Sequence, residues 1–245
     1  SIFQGIFGYS LTSGRPIGAI LAEKLPATLE LSLYALLIST ILGNLFGILS
    51  AIYRGGKLDN SLTVLGMVGV SIPEFFFGLV LLLVFAINLK WLPVGGRTLP
   101  EYVSYAQQFR HVILPASVLG ISMTAGVMRY SRASMLDAMN KEFMKTARSK
   151  GLPNWRVYLL HGFRVALTPV IVLIGFRLPM LIGGSVVIEQ IFQWPGIGDA
   201  FVTAVRGQNY PLVMAIALLS VTVVLLASFL VDLLTAFIDP RVRLE

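Results

Sequence analysis

The sequence contains no cysteine and few charged residues. None of its 245 residues is cysteine, 13% are Asp, Glu, Lys or Arg, and 56% are hydrophobic. The missing thiols exclude disulfides and thiolate chemistry. A soluble domain carries about 25% charged and about 45–50% apolar residues, so this excess of apolar side chains needs a non-aqueous solvent. The composition therefore excludes a water-soluble globule, a disordered chain and a disulfide-rich secreted module.

Five long apolar segments predict an all-α integral membrane protein. A helix that crosses the hydrocarbon core needs about 20 mostly apolar residues, and the predicted spans cover about 26–52, 61–89, 111–129, 165–188 and 211–237. Pro26 is expected in the first turn of the first helix, with Glu30 near its positive end. Pro73 and Pro115 predict kinks, and Gly43 with Gly47 predicts a close helix contact.

The distribution of Lys and Arg predicts the orientation in the membrane. Twelve of these residues lie in 53–60, 129–164 and 238–245, against six in 1–25, 89–111 and 189–210. The positive-inside rule places the first set in the cytoplasm, including the tail 241–245. The sequence pI of 9.9 then reflects topology and needs no nucleic-acid partner. Residues 1–25 would lie outside, which implies an upstream span and six spans in all, with a cleaved signal peptide as the alternative.

The loop 129–164 is predicted to form two helices. Leu136, Met139, Phe143 and Ala147 recur at helical spacing and form one apolar stripe. Lys150, Gly151 and Pro153 are a helix stop, and Asn154 is positioned to cap a second helix. The stripe must pack on its own bundle or on another protein. A helix lying on the lipid surface is the alternative.

Several motifs in the chain resemble one family of permeases. Residues 131–137 (SRASMLD) and 145–152 (KTARSKGL) resemble the coupling-loop signature of ATP-binding cassette (ABC) permeases of the dipeptide, oligopeptide and nickel subfamily. Further segments agree in order and spacing, namely 25–31, 71–73, 183–189, 192–198, 231–234 and 239–241. The broader signature begins with Glu-Ala-Ala, where this chain has Lys145, Thr146 and Ala147.

This resemblance implies a type I importer permease fold over 26–240 and a division of labour. The chain would form half of a path for di- or oligopeptides beside a second homologous permease, and an extracytoplasmic binding protein would deliver substrate. Two cytoplasmic ATPases would use ATP and Mg²⁺, and the chain itself would bind no cofactor. The ATPases would dock on Met139, Phe143, Lys145, Thr146, Ala147, Arg148, Lys150, Gly151 and Leu152.

Two other functions remain open at this point. One is an importer of nickel or a metal chelate, and the other is a carrier or channel that works without ATP. The only Gly-Lys pair is Gly56-Lys57, and Leu58 stands where a phosphate-binding loop needs Ser or Thr, so no ATPase site is expected. His111 and His161 fall on opposite sides of the predicted membrane, so no shared metal and no catalytic residues are expected.

Charged and aromatic residues in and near the spans are candidates for the transport path. Glu74 and Arg177 lie at similar depths, ~20 Å from the cytoplasmic edge by helix rise. We expect them to pair or to line the path, with a structural salt bridge or contact with the second permease as alternatives. Glu189 is expected as a solvated rim charge and Asp232 as an anchor paired with Arg241, Arg243 or the basic loop.

The segment Trp194-Pro195-Gly196 is expected to form a tight outer turn with an exposed aromatic ring. Such a turn can contact the binding protein or reach back into the cavity. An interfacial tryptophan anchor is the alternative.

Overall fold

A computed structural model describes residues 7–97, 104–184 and 186–238, and these are predominantly helical. The helices are α1 (Ile17–Ile52), α2 (Lys57–Ser71), α3 (Glu74–Leu81), α4 (Tyr105–Met139), α5 (Glu142–Ser149), α6 (Asn154–Arg156), α7 (Phe163–Gly184), α8 (Val186–Ile191), α9 (Ile197–Arg206) and α10 (Tyr210–Ile238). Wider π-helical turns continue α3 through Leu82–Asn88 and join α6 to α7 through Val157–Gly162. The described residues contain one isolated β-bridge, between Tyr9 and Pro16.

Three described helices are long and apolar enough to cross a membrane. They are Ile17–Ile52, Tyr105–Met139 and the Tyr210–Leu233 part of α10, and the bent pair Lys57–Ser71 with Glu74–Asn88 makes a fourth if it is one span. The predicted segment 165–188 falls on α7 and the start of α8, where several side chains and residue 185 lie outside the described set. The count of five spans therefore stays a prediction. The tail 241–245 also lies outside the described residues.

Proline acts differently at the three positions that carried predictions from the sequence. Pro26 was expected in a first turn, but α1 begins at Ile17 and Pro26 lies inside it, so that expectation is wrong. Pro115 also lies inside a continuous helix, α4. At Pro73 the helix ends, because the residue before a proline is driven out of the helical region and Ile72 adopts φ −80° and ψ 125°.

The chain forms two compact units. The first comprises Ser1–Ala35, Pro73–Leu119 and Arg177–Phe229, and the second comprises Leu36–Ile72, Gly120–Phe176 and Leu230–Glu245. The core of the first unit joins the start of α1 to α9 and the start of α10, through Ile17, Ile20, Leu21, Ile197, Ala200, Ala204, Leu212, Ala215 and Ile216. The core of the second unit contains Ile48, Ala51, Met135, Ala138 and Ala166.

Two glycines of α1 permit a close approach of α4 in the second unit. A Cβ atom at Gly43 would lie 2.5 Å from Cβ of Val127, and one at Gly47 would lie 2.6 Å from the backbone oxygen of Met128. Real Cβ atoms essentially never come so close. The close helix contact predicted from the glycine pair is therefore confirmed, and it places Ser131 of α4 beside α1, where its hydroxyl donates to Asn44 Oδ1 at 3.1 Å.

Many large apolar side chains remain exposed on the single chain. On α10, Leu225, Phe229 and Leu230 are 65%, 60% and 57% exposed. An apolar surface of this kind in water would promote aggregation, whereas hydrocarbon or another helix covers it favourably. The exposure agrees with a helical bundle that is embedded in a membrane.

Candidate functional site

A helical elbow follows the long helix α4; we use that name for residues 140–162. Helix α4 ends at Met139, a turn at Asn140 and Lys141 follows, and α5 begins at Glu142. The sequence predicted one helix carrying the stripe from Leu136 to Ala147, and that prediction is wrong because the turn interrupts it. The break resets the helical phase, so the residues of the stripe do not share one face.

The end of α5 follows the predicted stop signal. Gly151 has φ +73°, a conformation that glycine adopts without steric cost, and its N–H donates to Arg148 O at 2.9 Å. Pro153 then caps the short helix α6 without a side-chain hydrogen bond. Asn154 is the first residue of α6, so the prediction that it caps this helix is wrong.

Helix α5 has a buried face and an exposed face. Met144 is fully buried and Ala147 is 6% exposed, and both pack on Val157. Met139 and Leu152 are partly buried around them. The exposed face carries the remaining predicted coupling residues, namely Phe143, Lys145, Thr146, Arg148, Lys150 and Gly151. Helix α5 thus packs Met144 and Ala147 within its own unit and leaves a mainly basic face open, while Trp155, Leu159 and Leu160 of the elbow stay exposed.

The elbow is packed tightly onto the end of α4 and the start of α7. A Cβ atom at Gly162 would lie 2.9 Å from Cε of Met135 on α4 and 3.2 Å from Cε of Met144 on α5. Because close-packed cores have few voids, these contacts couple the position of α5 to Met135 of α4.

The charges on the exposed face are weakly neutralised. Lys145 Nζ lies 2.7 Å from Glu142 Oε1, with the two side chains 69% and 84% exposed. An exposed pair of this kind contributes at most about 1 kcal/mol. The Arg148 guanidinium lies 5.7 Å from the centre of the Tyr158 ring, and that of Arg156 lies 5.1 Å from the centre of the Trp155 ring. The elbow therefore presents positive charge next to the partly buried ring of Tyr158 and the exposed ring of Trp155.

A buried ion pair joins α2 and α4 in the same unit. Arg132 donates from Nε to Asp59 Oδ1 at 2.9 Å and from Nη2 to Oδ2 at 2.8 Å. Asp59 also accepts from Ser50 Oγ and from the N–H of Gly55. Arg132 stands in the motif 131–137, but its partner lies 73 residues away and was not predicted. A lone aspartate in the otherwise basic loop 53–60 was the available signal.

The intramembrane acid Glu74 is the first residue of α3. It is half-buried, and its Oε1 is enclosed without a hydrogen-bond partner among the described residues. Arg177 is half-buried on α7 and has interactions of its own. The ion pairs between described residues do not include Glu74 with Arg177, so their place on the transport path stays a prediction.

The outer turn 192–198 packs inward, contrary to expectation. Trp194 is fully buried and its Nε1 donates to Ala27 O at 2.7 Å, so the predicted exposed aromatic is wrong. Pro195 is half-buried and Gly196 is buried. A contact between this turn and a binding protein stays a prediction, with Trp194 unable to offer its ring on the surface.

Glu189 is a buried carboxylate and not the solvated rim charge predicted from the sequence. It is 0% exposed, and it accepts from Thr28 Oγ1 at 2.8 Å and from the N–H of Asp199 at 2.9 Å. Thr28 Oγ1 accepts in turn from the N–H of Ile197 at 2.8 Å. The motifs 25–31, 183–189 and 192–198 therefore meet in one hydrogen-bonded cluster of the first unit.

Three further residues considered in the sequence are Asp232, His161 and His111. Asp232 is exposed, and its expected partners Arg241 and Arg243 lie outside the described residues. His161 is exposed in the π-helical turn, and His111 Nδ1 lies 3.0 Å from Gly95 O. The part of the chain that the structure describes holds no group of three or more potential metal ligands.

Comparison with known proteins identifies the family. The model of the family "Binding-protein-dependent transport system inner membrane component" matches residues 43–244. The chain belongs to this permease family. It is therefore an integral inner-membrane permease, and permease subunits of this kind are not enzymes themselves.

Curated relatives cover nearly the whole chain. The oligopeptide transport system permease protein AppB of Bacillus subtilis (strain 168) is 41% identical over 245 residues, which is 99% of this chain and 78% of the relative. The di/tripeptide transport system permease protein DppB of Pseudomonas aeruginosa (strain UCBPP-PA14) is 37% identical over 262 residues, covering 99% and 78%. The glutathione transport system permease protein GsiC of Escherichia coli (strain K12) is 36% identical over 240 residues, covering 98% and 76%.

Solved structures show the same fold at low sequence identity. An inward-facing MetNI methionine ABC transporter matches with a TM-score of 0.75 at 15% identity, covering 90% of this chain and 96% of the other. An amino acid ABC transporter solved with histidines matches with a TM-score of 0.65 at 17% identity, covering 89% and 93%. The resemblance read from the sequence motifs and the predicted ABC importer permease fold are thereby confirmed.

Proposed function

We propose that this permease forms half of the translocation path of an ATP-driven importer for di- or oligopeptides. The names of three relatives support a peptide substrate, because they specify oligopeptides, di- and tripeptides, and the tripeptide glutathione. A nickel or metal-chelate importer is the second candidate. It draws on the subfamily resemblance alone.

We further propose that the exposed face of α5 docks a cytoplasmic ABC ATPase. The observation that carries this proposal is the division of α5 into an anchored face, with Met144 and Ala147, and an open face, with Phe143 and Arg148. A short helix that is packed against the helices of its own unit can transmit a displacement of the ATPase to those helices without unfolding. Displacement of α5 would act through Met144 and Met135 on α4 and α7. Packed helices that are displaced in this way move as rigid bodies.

The proposed topology follows the distribution of basic residues. The elbow contains Lys141, Lys145, Arg148, Lys150 and Arg156 and belongs to the more basic side, which the positive-inside rule places in the cytoplasm. The C-terminus would lie on the same side, and the first residues of the chain would lie outside. The outer-turn cluster around Glu189 then belongs to the face that meets a binding protein.

The proposed assembly contains a second homologous permease, two cytoplasmic ATPases and an extracytoplasmic solute-binding protein. The family description, which names binding-protein-dependent transport, supports the last of these partners. ATP and Mg²⁺ would be used by the ATPases, while this chain binds no cofactor. Alternating access would expose the path, with Glu74 and Arg177, to one side and then to the other.

The test is ATP-dependent uptake by the reconstituted complex in vesicles. We expect peptide-loaded binding protein to stimulate ATP hydrolysis and peptide accumulation, and Arg148→Glu to reduce both because it reverses the charge of the docking face. Lys57→Glu is the matched control, since Lys57 is exposed at the start of α2 and is not a predicted coupling residue. Uptake without ATP would support a secondary carrier. Stimulation by a nickel chelate but not by peptides would refute the peptide substrate.

A further inference from the structure

A small basic pocket lies where the helix pair after Pro73 ends, against the first turns of α4. Its volume is about 330 Å³, and its lining residues are Lys90, Leu92, Pro93, Gln107, Arg110 and His111. Two of these side chains are cationic and His111 can become so, while none of the lining residues is acidic. The pocket belongs to the first unit and contains none of the residues assigned above to the coupling face or to the transport path.

Backbone carbonyl groups orient two of the basic side chains. Arg110 Nη2 donates to Trp91 O at 2.7 Å, and His111 Nδ1 lies 3.0 Å from Gly95 O. A carbonyl oxygen only accepts, so Nδ1 carries a proton and Nε2 is left for another partner. Both carbonyl groups belong to the turn 91–95. The turn therefore holds both side chains in place, and it leaves the charge of Arg110 without a neutralising partner in the lining of the pocket.

The backbone at Lys90 shows that the turn accommodates an unfavourable conformation. Lys90 has φ +53°, in the left-handed region that residues other than glycine seldom adopt. Such conformations cluster at binding sites because the surrounding structure must hold them. The start of α4 adds the partial positive charge of a helix N-terminus beside Gln107 and Arg110. All of these features favour an anion.

The surroundings of the pocket favour a lipid over a soluble anion. The helix that leads into it exposes Leu83 and Ile87, at 51% and 48%, and Trp91 at its end is 62% exposed. In an integral membrane protein, an exposed apolar helix that ends in a tryptophan and a lysine ends at the interface, where lipid phosphates lie. Leu92 and Pro93 give the pocket an apolar wall beside its charges.

We propose that this pocket binds the phosphate group of an anionic phospholipid. The Lys90 and Arg110 side chains supply the charge, His111 and Gln107 supply hydrogen bonds, and the exposed helix before Lys90 lies along the acyl chains. Basic pockets between membrane helices on the cytoplasmic side bind anionic headgroups, and the same chemistry would act here in a pocket that the proposed topology places on the outer side. The same chemistry would accept inorganic phosphate, so the experiment must separate the two sources.

The experiment measures retention of dioctanoyl phosphatidylglycerol by the delipidated permease complex in native mass spectrometry. Lys90→Asn removes the charge and keeps a residue that tolerates positive φ, while Arg110→Gln removes the second charge. We expect each variant to lower retention at least fivefold. Arg206→Gln is the matched control, because Arg206 is an exposed arginine at the end of α9 outside the pocket, and it should leave retention unchanged.

Four results would overturn the proposal. Retention at the wild-type level in both Lys90→Asn and Arg110→Gln would show that the pocket is not the site. Displacement of the lipid by millimolar inorganic phosphate, or equal retention of dioctanoyl phosphatidylcholine, would show that an anionic lipid is not selected.

Glu101 lies outside the described residues and close to α4 in the sequence. A fivefold rise in retention in Glu101→Gln would show that its own carboxylate occupies the pocket, whereas unchanged retention supports lipid binding.

Discussion

Removing Arg132 should destabilise the permease more than removing its partner Asp59. The side chains are 30% and 5% exposed. Arg132→Ala leaves the nearly buried carboxylate of Asp59 with Ser50 and Gly55 as its donors among the described residues. Losing one partner of a buried pair costs about 3–5 kcal/mol when the remaining charge stays buried. Asp59→Ala leaves Arg132 able to reach solvent. The variant should therefore cost only about 1–3 kcal/mol, because Ser50 Oγ and the N–H of Gly55 lose their acceptor.

The assay is unfolding of the purified permease in mixed micelles by increasing fractions of sodium dodecyl sulfate, followed by circular dichroism. A difference of about 2 kcal/mol between the two variants corresponds to roughly 30-fold in the unfolding equilibrium. The double variant should cost less than the sum of the single variants, since neither charge is then left alone. Arg129→Ala, which removes an exposed arginine of α4, is the control and should stay within about 0.5 kcal/mol of the wild type. An Asp59→Ala variant as unstable as Arg132→Ala would refute this reasoning.

Three further predictions concern packing and transport. Thr28→Val should destabilise the permease by about 1–3 kcal/mol in the same assay, because the N–H of Ile197 and the Glu189 carboxylate each lose a partner; a neutral effect would contradict the hydrogen-bonded cluster. Gly47→Ala should cost about 1–3 kcal/mol, because its Cβ would lie 2.6 Å from a backbone oxygen of α4. Gly69→Ala has open space and should stabilise by up to about 1 kcal/mol, so equal effects of the two glycine variants would refute the close contact. Glu74→Gln should lower peptide uptake severalfold and leave the free energy of unfolding almost unchanged. Normal uptake would show that Glu74 does not act on the transport path.

Local signals in the sequence predicted the end of α5 but not its buried face. The conformational preferences of Gly151 and Pro153 do not depend on distant contacts, and the helix ends where these residues predict. The stripe from Leu136 to Ala147 assumed one continuous helix. Asn140 favours a turn, but the apolar spacing alone ran through it and did not show that the helical phase restarts there and that Met144 replaces Phe143 in the core.

Long-range pairing explains the errors at the outer turn. A charged residue at the predicted rim of a span is usually solvated, and a tryptophan there usually lies at the lipid interface. Glu189 and Trp194 are buried because Thr28 and Ala27, more than 160 residues earlier, supply their hydrogen-bond partners. The same holds for Asp59 and Arg132. Composition and periodicity predicted the membrane class, whereas these partners depend on which helices meet.

The absence of cysteine makes one measurement decisive for the docking proposal. A single cysteine placed at Lys145 on the exposed face of α5 can be cross-linked in the assembled complex without competing thiols on this chain. We expect a cross-link from Lys145→Cys to the ATPase that changes in yield when ATP is added, and none from the control Lys57→Cys. Labelling of Lys145→Cys by an impermeant reagent applied outside intact cells, or no cross-link to the ATPase, would contradict it.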